Sequence, residues 1–418
     1  MIKPEILSPA GDFEKLRVAV EYGADAVYFS GPRYGLRAGS GNFSREETVR
    51  AVKYAKERNV RCYYAMNILA RPGDFSALDE ELLFARSAGI DALIVSDPGI
   101  FGRSRRICPD TDIHISTQAS VTNAEACLFW LGQGVRRVVL ARELSLSEIR
   151  DIRRTVPDEL ELECFVHGAM CISYSGRCLL SNEFTGRSGN LGDCAQPCRW
   201  AYRVAEVKRP KEILTVQGDE TGSYIFSSKD LCMIDHIPEL AEAGIGSFKI
   251  EGRVKGSFYT ASVTRAYREA VDAYVSDPLS YTVSDKWKRF LDRTVHREFG
   301  TGFFYDHPRE NAQLYPDQLA QKPAFVVGMV TRYDDESGRA TISQRNKINC
   351  GDELRAFTPK GDEYRFIATE LMDENGVSID STPHPMMNYS LKSPFALPEY
   401  SFLSKDGDKD RSGGGRTG

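Results

Sequence analysis

No stretch of the 418 residues approaches the roughly 20 consecutive apolar positions of a membrane span. The opening MIKPEILSPAGDFEKL has no basic segment, apolar core and small-residue cleavage site in succession, so no secretory signal is read. Charge of one sign is scarce as well. With 54 Lys and Arg against 59 Asp and Glu, the net charge of -5 gives no global footprint for nucleic acid, and any RNA contact must come from local basic surface. The expectation is a soluble, cytoplasmic protein whose thiols stay reduced, where clustered cysteines bind metal more often than they form disulfides. There is no His-Glu-x-x-His helix motif and no serine in a nucleophile elbow, and no Gly-rich dinucleotide fingerprint follows the first apolar stretch.

The sequence does contain a recurring unit: an amphipathic helix, a glycine, and a short apolar strand ending in polar residues. It occurs in AVEYGADAVYFS around Gly23, ARSAGIDALIVSD around Gly89, LGQGVRRVVLAR around Gly134 and LAEAGIGSFKIEG around Gly244. The glycine suits a left-handed helix stop, and a continuous apolar strand suits a sheet buried on both faces. Strands are predicted near 5–8, 24–30, 61–67, 91–96, 112–118, 136–142, 161–167 and 246–251, and Asp12 in SPAGDFEKL as a helix cap. Eight strands alternating with helices predict an α/β fold of the (β/α)8 TIM-like barrel type, with an open doubly wound sheet as the alternative.

A chain this long exceeds one core of roughly 250 residues, so a second, smaller domain is expected. From about Lys322 short apolar runs are broken by turns (AFVVGMV, RATISQ, GDELRAFTP, EYRFIATEL, GVSID), which predicts a small antiparallel β-barrel domain. The expected organisation is a barrel over 1–275 with a cysteine-rich insertion at 168–230 after strand seven. A helical linker at 276–321, the β domain at 322–403 and a disordered polar tail at 404–418 follow.

Chemistry in such barrels sits at the carboxyl ends of the strands. Those ends carry Asn67, Asp97, Gln118, Arg142, His167, Lys249, Glu251 and Arg253. The glycine-rich stretch 31–43 adds Arg37 as a candidate contact for an anionic substrate. The insertion holds Cys171, Cys178, Cys194 and Cys198 within twenty-eight residues, separated by six, fifteen and three residues. Four thiolates hold zinc or an iron-sulfur cluster. The wide first pair favours a [4Fe-4S] cluster, with structural zinc or no metal as alternatives. Cys232 is a reserve ligand in a helical pattern, and most remaining cysteines read as buried thiols.

The segment ELECFVHGAMCISYSGRCLLS resembles the signature of the collagenase-like peptidase family, peptidase family U32, through Glu163, Phe165, Gly168, Cys171, Cys178 and Ser181. The similarity continues in PEILSPAG, GADAVYF, YGLRA, SSKDLCMI and FKIEGRVK, over nearly the whole barrel, and into the β domain. Despite the family's name, the stretches CRW, SSKDL and KIEGR resemble the branch that modifies tRNA. That resemblance implies hydroxylation of wobble uridine to 5-hydroxyuridine without dioxygen, with prephenate as co-substrate. It also implies a [4Fe-4S] cluster on Cys171, Cys178, Cys194 and Cys198, and a paralogous member as a candidate partner.

Under this reading Arg37, Arg142 and Arg177 are candidate contacts for the prephenate carboxylates, while His167, Glu251 and Arg253 are catalytic candidates. His167 and Glu251, at the ends of adjacent strands, are expected to be neighbours able to move protons. Residues 186–215 carry six Lys or Arg against three acids. Arg187, Arg199, Trp200, Arg203 and Arg209 are the expected contacts for an anticodon loop with its target base turned out. The alternatives are a peptidase using His167, Cys171 and Glu251, and an RNA-binding scaffold with a structural four-cysteine zinc site.

Overall fold

The computed structural model describes residues 3–36, 41–171, 173–200, 205–206, 209–213, 218–219, 222–223, 229–305 and 324–405. The four glycines read as helix stops all have positive φ: Gly23 at 99°, Gly89 at 76°, Gly134 at 82° and Gly244 at 79°. Each releases its helix into a strand. These are β2 (Ala26–Phe29), β4 (Ala92–Val95), β6 (Arg137–Val139) and β8 (Ile245–Ile250). The intervening strands are β1 (Glu5–Pro9), β3 (Arg61–Met66), β5 (Asp112–Ile115) and β7 (Glu161–Ala169).

All eight pair in parallel in sequence order, and β8 pairs with both β7 and β1, so the sheet closes into a barrel. Helices α1 (Phe13–Glu21), α2 (Arg45–Lys56), α3 (Leu78–Ser87), α4 (Pro98–Ile107), α5 (Ala124–Gly132) and α6 (Leu146–Thr155) alternate with the first seven strands. Their starts are set locally. Asp12 accepts a bond from Lys15 N at 2.9 Å, and Ser44 and Ser145 close capping boxes with Glu47 and Glu148.

Between β7 and β8 lie α7 (Leu180–Thr185), a short strand Asp230–Cys232 antiparallel to β7, and α8 (Ile237–Glu242). After β8, α9 (Ser257–Ser276) buries twelve side chains. Residues 276–321, expected as a helical linker, contribute α10 (Asp285–Asp292) and the strand Phe299–Gly300, which extends the barrel sheet beside Asp230–Cys232. Trp287, Phe290 and Leu291 of α10 are buried, and Trp287 donates to Glu269 of α9 at 3.2 Å, so α10 is docked on α9. Among the described residues no helix is long and apolar enough to cross a membrane.

The second unit, residues 292–295 and 321–418, is described over 292–295 and 324–405. Its strands are β9 (Phe325–Asp334), β10 (Arg339–Gln344), β11 (Glu353–Phe357), β12 (Tyr364–Ile367), β13 (Thr369–Asp373), β14 (Asn388–Lys392) and β15 (Phe402–Lys405). They form a seven-stranded antiparallel half-barrel in the order β12-β11-β15-β9-β10-β14-β13. Val327, Ile342, Leu354, Leu391 and Leu403 are among its buried core residues. Ser404 and Lys405, expected in the tail, belong to β15, and residues 406–418 lie outside the described residues.

Candidate functional site

Alternation along the barrel strands turns an unusual set of charged side chains inward. Arg137 of β6 donates to Glu5 of β1 at 2.6 Å and to Glu163 of β7 at 3.0 Å. Glu163 also accepts from Lys249 of β8 at 2.6 Å, and Ser247 bridges both carboxylates at 2.9 and 3.3 Å. Arg61 pairs with Glu5 from the outer end. The signs alternate in the order Arg61, Glu5, Arg137, Glu163, Lys249. Apart from half-exposed Arg61 these groups are buried.

Each buried charge here has an opposite partner, as a low-dielectric interior demands. Burial alone would raise the Glu5 carboxyl, but Arg137 and Arg61 hold it below its ordinary value. Burial would lower Arg137, and the carboxylates of Glu163 and Glu5 outweigh it, raising it further. Burial, aided by Arg137 and Lys249, pushes His114 of β5 well below the usual histidine range, so its imidazole is neutral.

The chain of charges ends at Lys249, which lines an open cavity at the carboxyl ends of the strands. Asn67, Gln118, Arg142, Phe165, Glu251 and Arg253 line it too. Among the described residues three cations therefore face one carboxylate there. Arg253 is committed to the wall: it donates to Ser30 Oγ at 2.8 Å and to the Leu36 carbonyl. Arg142 donates to the Ala169 carbonyl at 3.1 Å, and its Nε is buried with no partner among the described residues. Glu251 is held by its backbone, its N–H donating to His167 O at 2.9 Å and its carbonyl accepting from Tyr259 at 2.8 Å. Gly168, at φ 108°, makes room for this: a Cβ there would lie 2.4 Å from the Glu251 carbonyl oxygen.

His167 and Asp97 do not line the cavity. Asp97 caps α4, accepting from Gly99 and Ile100 N at 2.7 and 3.0 Å. In the β7 to β8 register Phe165 faces Lys249 but His167 faces Ile250, so two residues of β7 stand against one of β8. This bulge turns the His167 ring out of the barrel and against Tyr259, Tyr267 and Phe299, at centroid distances of 6.0, 5.5 and 5.3 Å. Burial pushes His167 down to about 3, with Asp230 opposing and His296 and Lys255 assisting. It is neutral, and its Nε2 has no partner among the described residues. Proton exchange between His167 and Glu251 across the mouth is thus not what this geometry provides.

The cysteine-rich segment lies on the rim. Ser175 N donates to Glu143 at 3.1 Å, Ser120 Oγ donates to the Ser175 carbonyl, and Leu69 N donates to the Asn190 carbonyl at 3.2 Å. A Cβ on Gly176, at φ 78°, would come within 2.3 Å of the carbonyl oxygen of cavity-lining Gln118. The segment folds on itself. Asn190 Nδ2 donates to the Cys178 carbonyl at 3.4 Å, and the adjoining Gly189 is so close to Cys194 that a Cβ there would sit 3.7 Å from its Sγ. Gln196 N donates to Cys194 Sγ at 3.4 Å.

Cys171 is exposed and Cys178, Cys194 and Cys198 are partly exposed. Among the described residues no three His, Cys, Asp or Glu side chains converge on a point where a metal ion could sit. The donor set therefore fits a thiolate-held group in chemistry and in its shared segment, but not in convergence of the sulfurs. Cys232 stands apart. It lies in a strand rather than a helix, opposite His167, and its thiol hydrogen-bonds the Tyr267 hydroxyl. By contrast Cys62 and Cys127 are buried, and burial pushes their thiols up to about 12 and about 11.

Arg177 is exposed, as is Arg187, which pairs with Asp193 at 2.6 Å. Trp200 is exposed and meets Phe184 edge to face at 6.5 Å. Arg37 and Arg203 lie outside the described residues, as do the side chains of Arg199 and Arg209. The structure thus brings together Asn67, Gln118, Arg142, Lys249, Glu251 and Arg253 of the expected strand-end site, and adds Phe165 to it. The support beneath, from Glu5, Arg137 and Glu163, was not anticipated. Its signal was available: acidic and basic residues at alternate positions of buried strands, as in Glu161-Leu-Glu163 and Ser247-Phe-Lys249.

Fold and site together define a (β/α)8 barrel with a cation-rich mouth beneath a four-cysteine rim, followed by an antiparallel β unit. The chain belongs to peptidase family U32: the family model matches residues 11–314, and the family's C-terminal domain model matches 324–403. It is 39% identical over 390 residues to "tRNA hydroxylation protein P1" of Bacillus subtilis, covering 93% of this chain and 92% of that protein. It is 36% identical to "tRNA hydroxylation protein P" of Escherichia coli, covering 86% and 87% of the two chains. It is also 31% identical to a protein named "Collagenase" from Porphyromonas gingivalis, covering 84% and 85%.

Proposed function

We propose that this chain hydroxylates tRNA, converting wobble uridine to 5-hydroxyuridine without dioxygen and with prephenate as co-substrate. The observation that carries the reading is the cation-rich cavity set directly under the cysteine segment, in a chain similar along its length to proteins named for tRNA hydroxylation. Arg142 has donors to spare for a carboxylate of a small acid. Phe165 and Tyr28 offer apolar surface beside it. Cys171, Cys178, Cys194 and Cys198 would hold a [4Fe-4S] cluster, which supplies electron transfer at the mouth when bound. A base turned out of an anticodon loop would approach past exposed Trp200 and Phe184, which suit stacking.

The family name raises proteolysis as a rival. In the mouth, Ser116 Oγ accepts from Asn67 and from Gln118 N, and Thr117 donates to the Leu140 carbonyl. Among the described residues neither hydroxyl meets an imidazole, and His167, the base a peptidase would need for Cys171, faces α9. The hydroxylase reading is tested by mass spectrometry of tRNA nucleosides from a strain lacking this chain and any paralogue. Loss of 5-hydroxyuridine derivatives during growth without dioxygen is expected. Their full retention would overturn it.

A further inference from the structure

We infer that Lys249 and Arg142 form a two-point clamp that selects a small acid with two carboxylates over one with a single carboxylate, and that Phe165 is the apolar floor between them. The inference rests on the proposed hydroxylation only for the identity of the natural acid.

Of the three cations at the mouth, Arg253 spends its guanidinium on Ser30 and the Leu36 carbonyl. The other two keep unused donors. Among the described residues Lys249 gives one hydrogen bond, to Glu163, and an ammonium carries three N–H groups. Among the described residues Arg142 gives one, to Ala169, out of five, and its buried Nε has no partner there. A buried donor left unmet is costly, so such a group persists where a ligand completes it.

The two cations share one ring. Arg142 Cζ and Lys249 Nζ each lie 5.4 Å from the Phe165 centroid, so they are at most twice that distance apart. Lys249 also lies 4.8 Å from the Tyr28 ring. Its place is fixed from below by Glu163, which has no exposed surface. An acid with a compact apolar body and two carboxylates matches this layout: one carboxylate on the fork of Arg142, the other on Lys249, and the body on Phe165. Glu251, the one carboxylate lining the cavity among the described residues, disfavours a third negative group. An acid with a single carboxylate can satisfy only one cation, and the other stays desolvated and unmet.

The test is calorimetric binding to the full chain, purified without air, of prephenate, of its monocarboxylate derivative phenylpyruvate, and of glutarate and butyrate as a second pair. The wild type is expected to prefer each two-carboxylate acid at least ~10-fold, the order of one charge-assisted hydrogen bond. Lys249→Met and Arg142→Gln should each erase that preference by weakening the diacids, while Lys249→Arg should keep part of it. Circular dichroism and the thermal midpoint show which variants are folded. Equal binding of both members of each pair by the wild type, or full preference retained in folded Lys249→Met, overturns the clamp. Preference for glutarate without binding of prephenate supports the clamp and overturns the co-substrate reading. Failure of all four acids to bind overturns the clamp and leaves tRNA hydroxylation standing.

Discussion

Replacing Glu163 by Gln probes the charged interior most sharply, because it keeps the side chain's shape and removes one charge. The carboxylate has no exposed surface and accepts from Lys249 at 2.6 Å, Arg137 at 3.0 Å and Ser247 at 3.3 Å. Arg137 would retain Glu5 and Glu161, but Lys249 would lose the one carboxylate seen to pair with it. Stranding a buried charge costs about 3–5 kcal/mol. Lys249→Met should cost less, about 1–3 kcal/mol, since Glu163 keeps Arg137. The double variant removes both ends of the pair, so its cost should fall below the sum of the single costs by at least ~2 kcal/mol. Urea unfolding followed by tryptophan fluorescence reads the barrel unit, because Trp130, Trp200 and Trp287 all lie within it. A Glu163→Gln cost under ~1 kcal/mol, or additivity within ~0.5 kcal/mol, would refute the reasoning.

Three other outcomes follow from the same geometry. His167 is held near 3 in the fold, below the roughly 6.5 of an unfolded histidine, so the unfolded chain takes the proton first and stability falls as pH drops below about 6.5. Relative to His167→Asn, the wild type should therefore lose about 2 kcal/mol between pH 7.5 and pH 5; parallel stability curves would contradict this. Gly168→Ala forces a Cβ against the Glu251 carbonyl from a positive-φ position and should destabilise the barrel by about 2 kcal/mol or more, measured in urea. Protein prepared without air should carry iron and sulfide with broad absorption near ~400 nm, and Cys194→Ala should lose most of both while Cys232→Ala keeps them; full iron in Cys194→Ala would remove it from the ligand set.

The barrel was legible because two local rules coincide in it. Gly23, Gly89, Gly134 and Gly244 stop helices at positive φ, and the strands that follow are apolar on both faces. The second unit was legible from its short runs and turns. The site was legible by position only. Reading strand ends found Asn67, Gln118, Arg142, Lys249, Glu251 and Arg253, but it also paired His167 with Glu251. A single extra residue in β7 opposite Ile250 reverses the side to which His167 points, and no pattern in the sequence marks that bulge. Strand ends are naturally polar, so Asp97 looked like a site residue when it is a helix cap. Glu5, Arg137 and Glu163 were passed over as interior charges because buried strands are expected to be apolar, and Lys249 was read only as a strand end. Glu5, Arg137, Glu163 and Lys249 break that rule together, and each is explained only by the others. In the cysteine segment, spacing identified a candidate donor set, but whether four sulfurs converge depends on loop closure that spacing does not encode.

The measurement closest to the central claim is an anaerobic reaction of the purified chain with tRNA bearing an unmodified wobble uridine, analysed by nucleoside mass spectrometry with and without prephenate. The account predicts 5-hydroxyuridine only when prephenate is present, and none with Arg142→Gln. Product that forms equally without prephenate, or only once dioxygen is admitted, would contradict it.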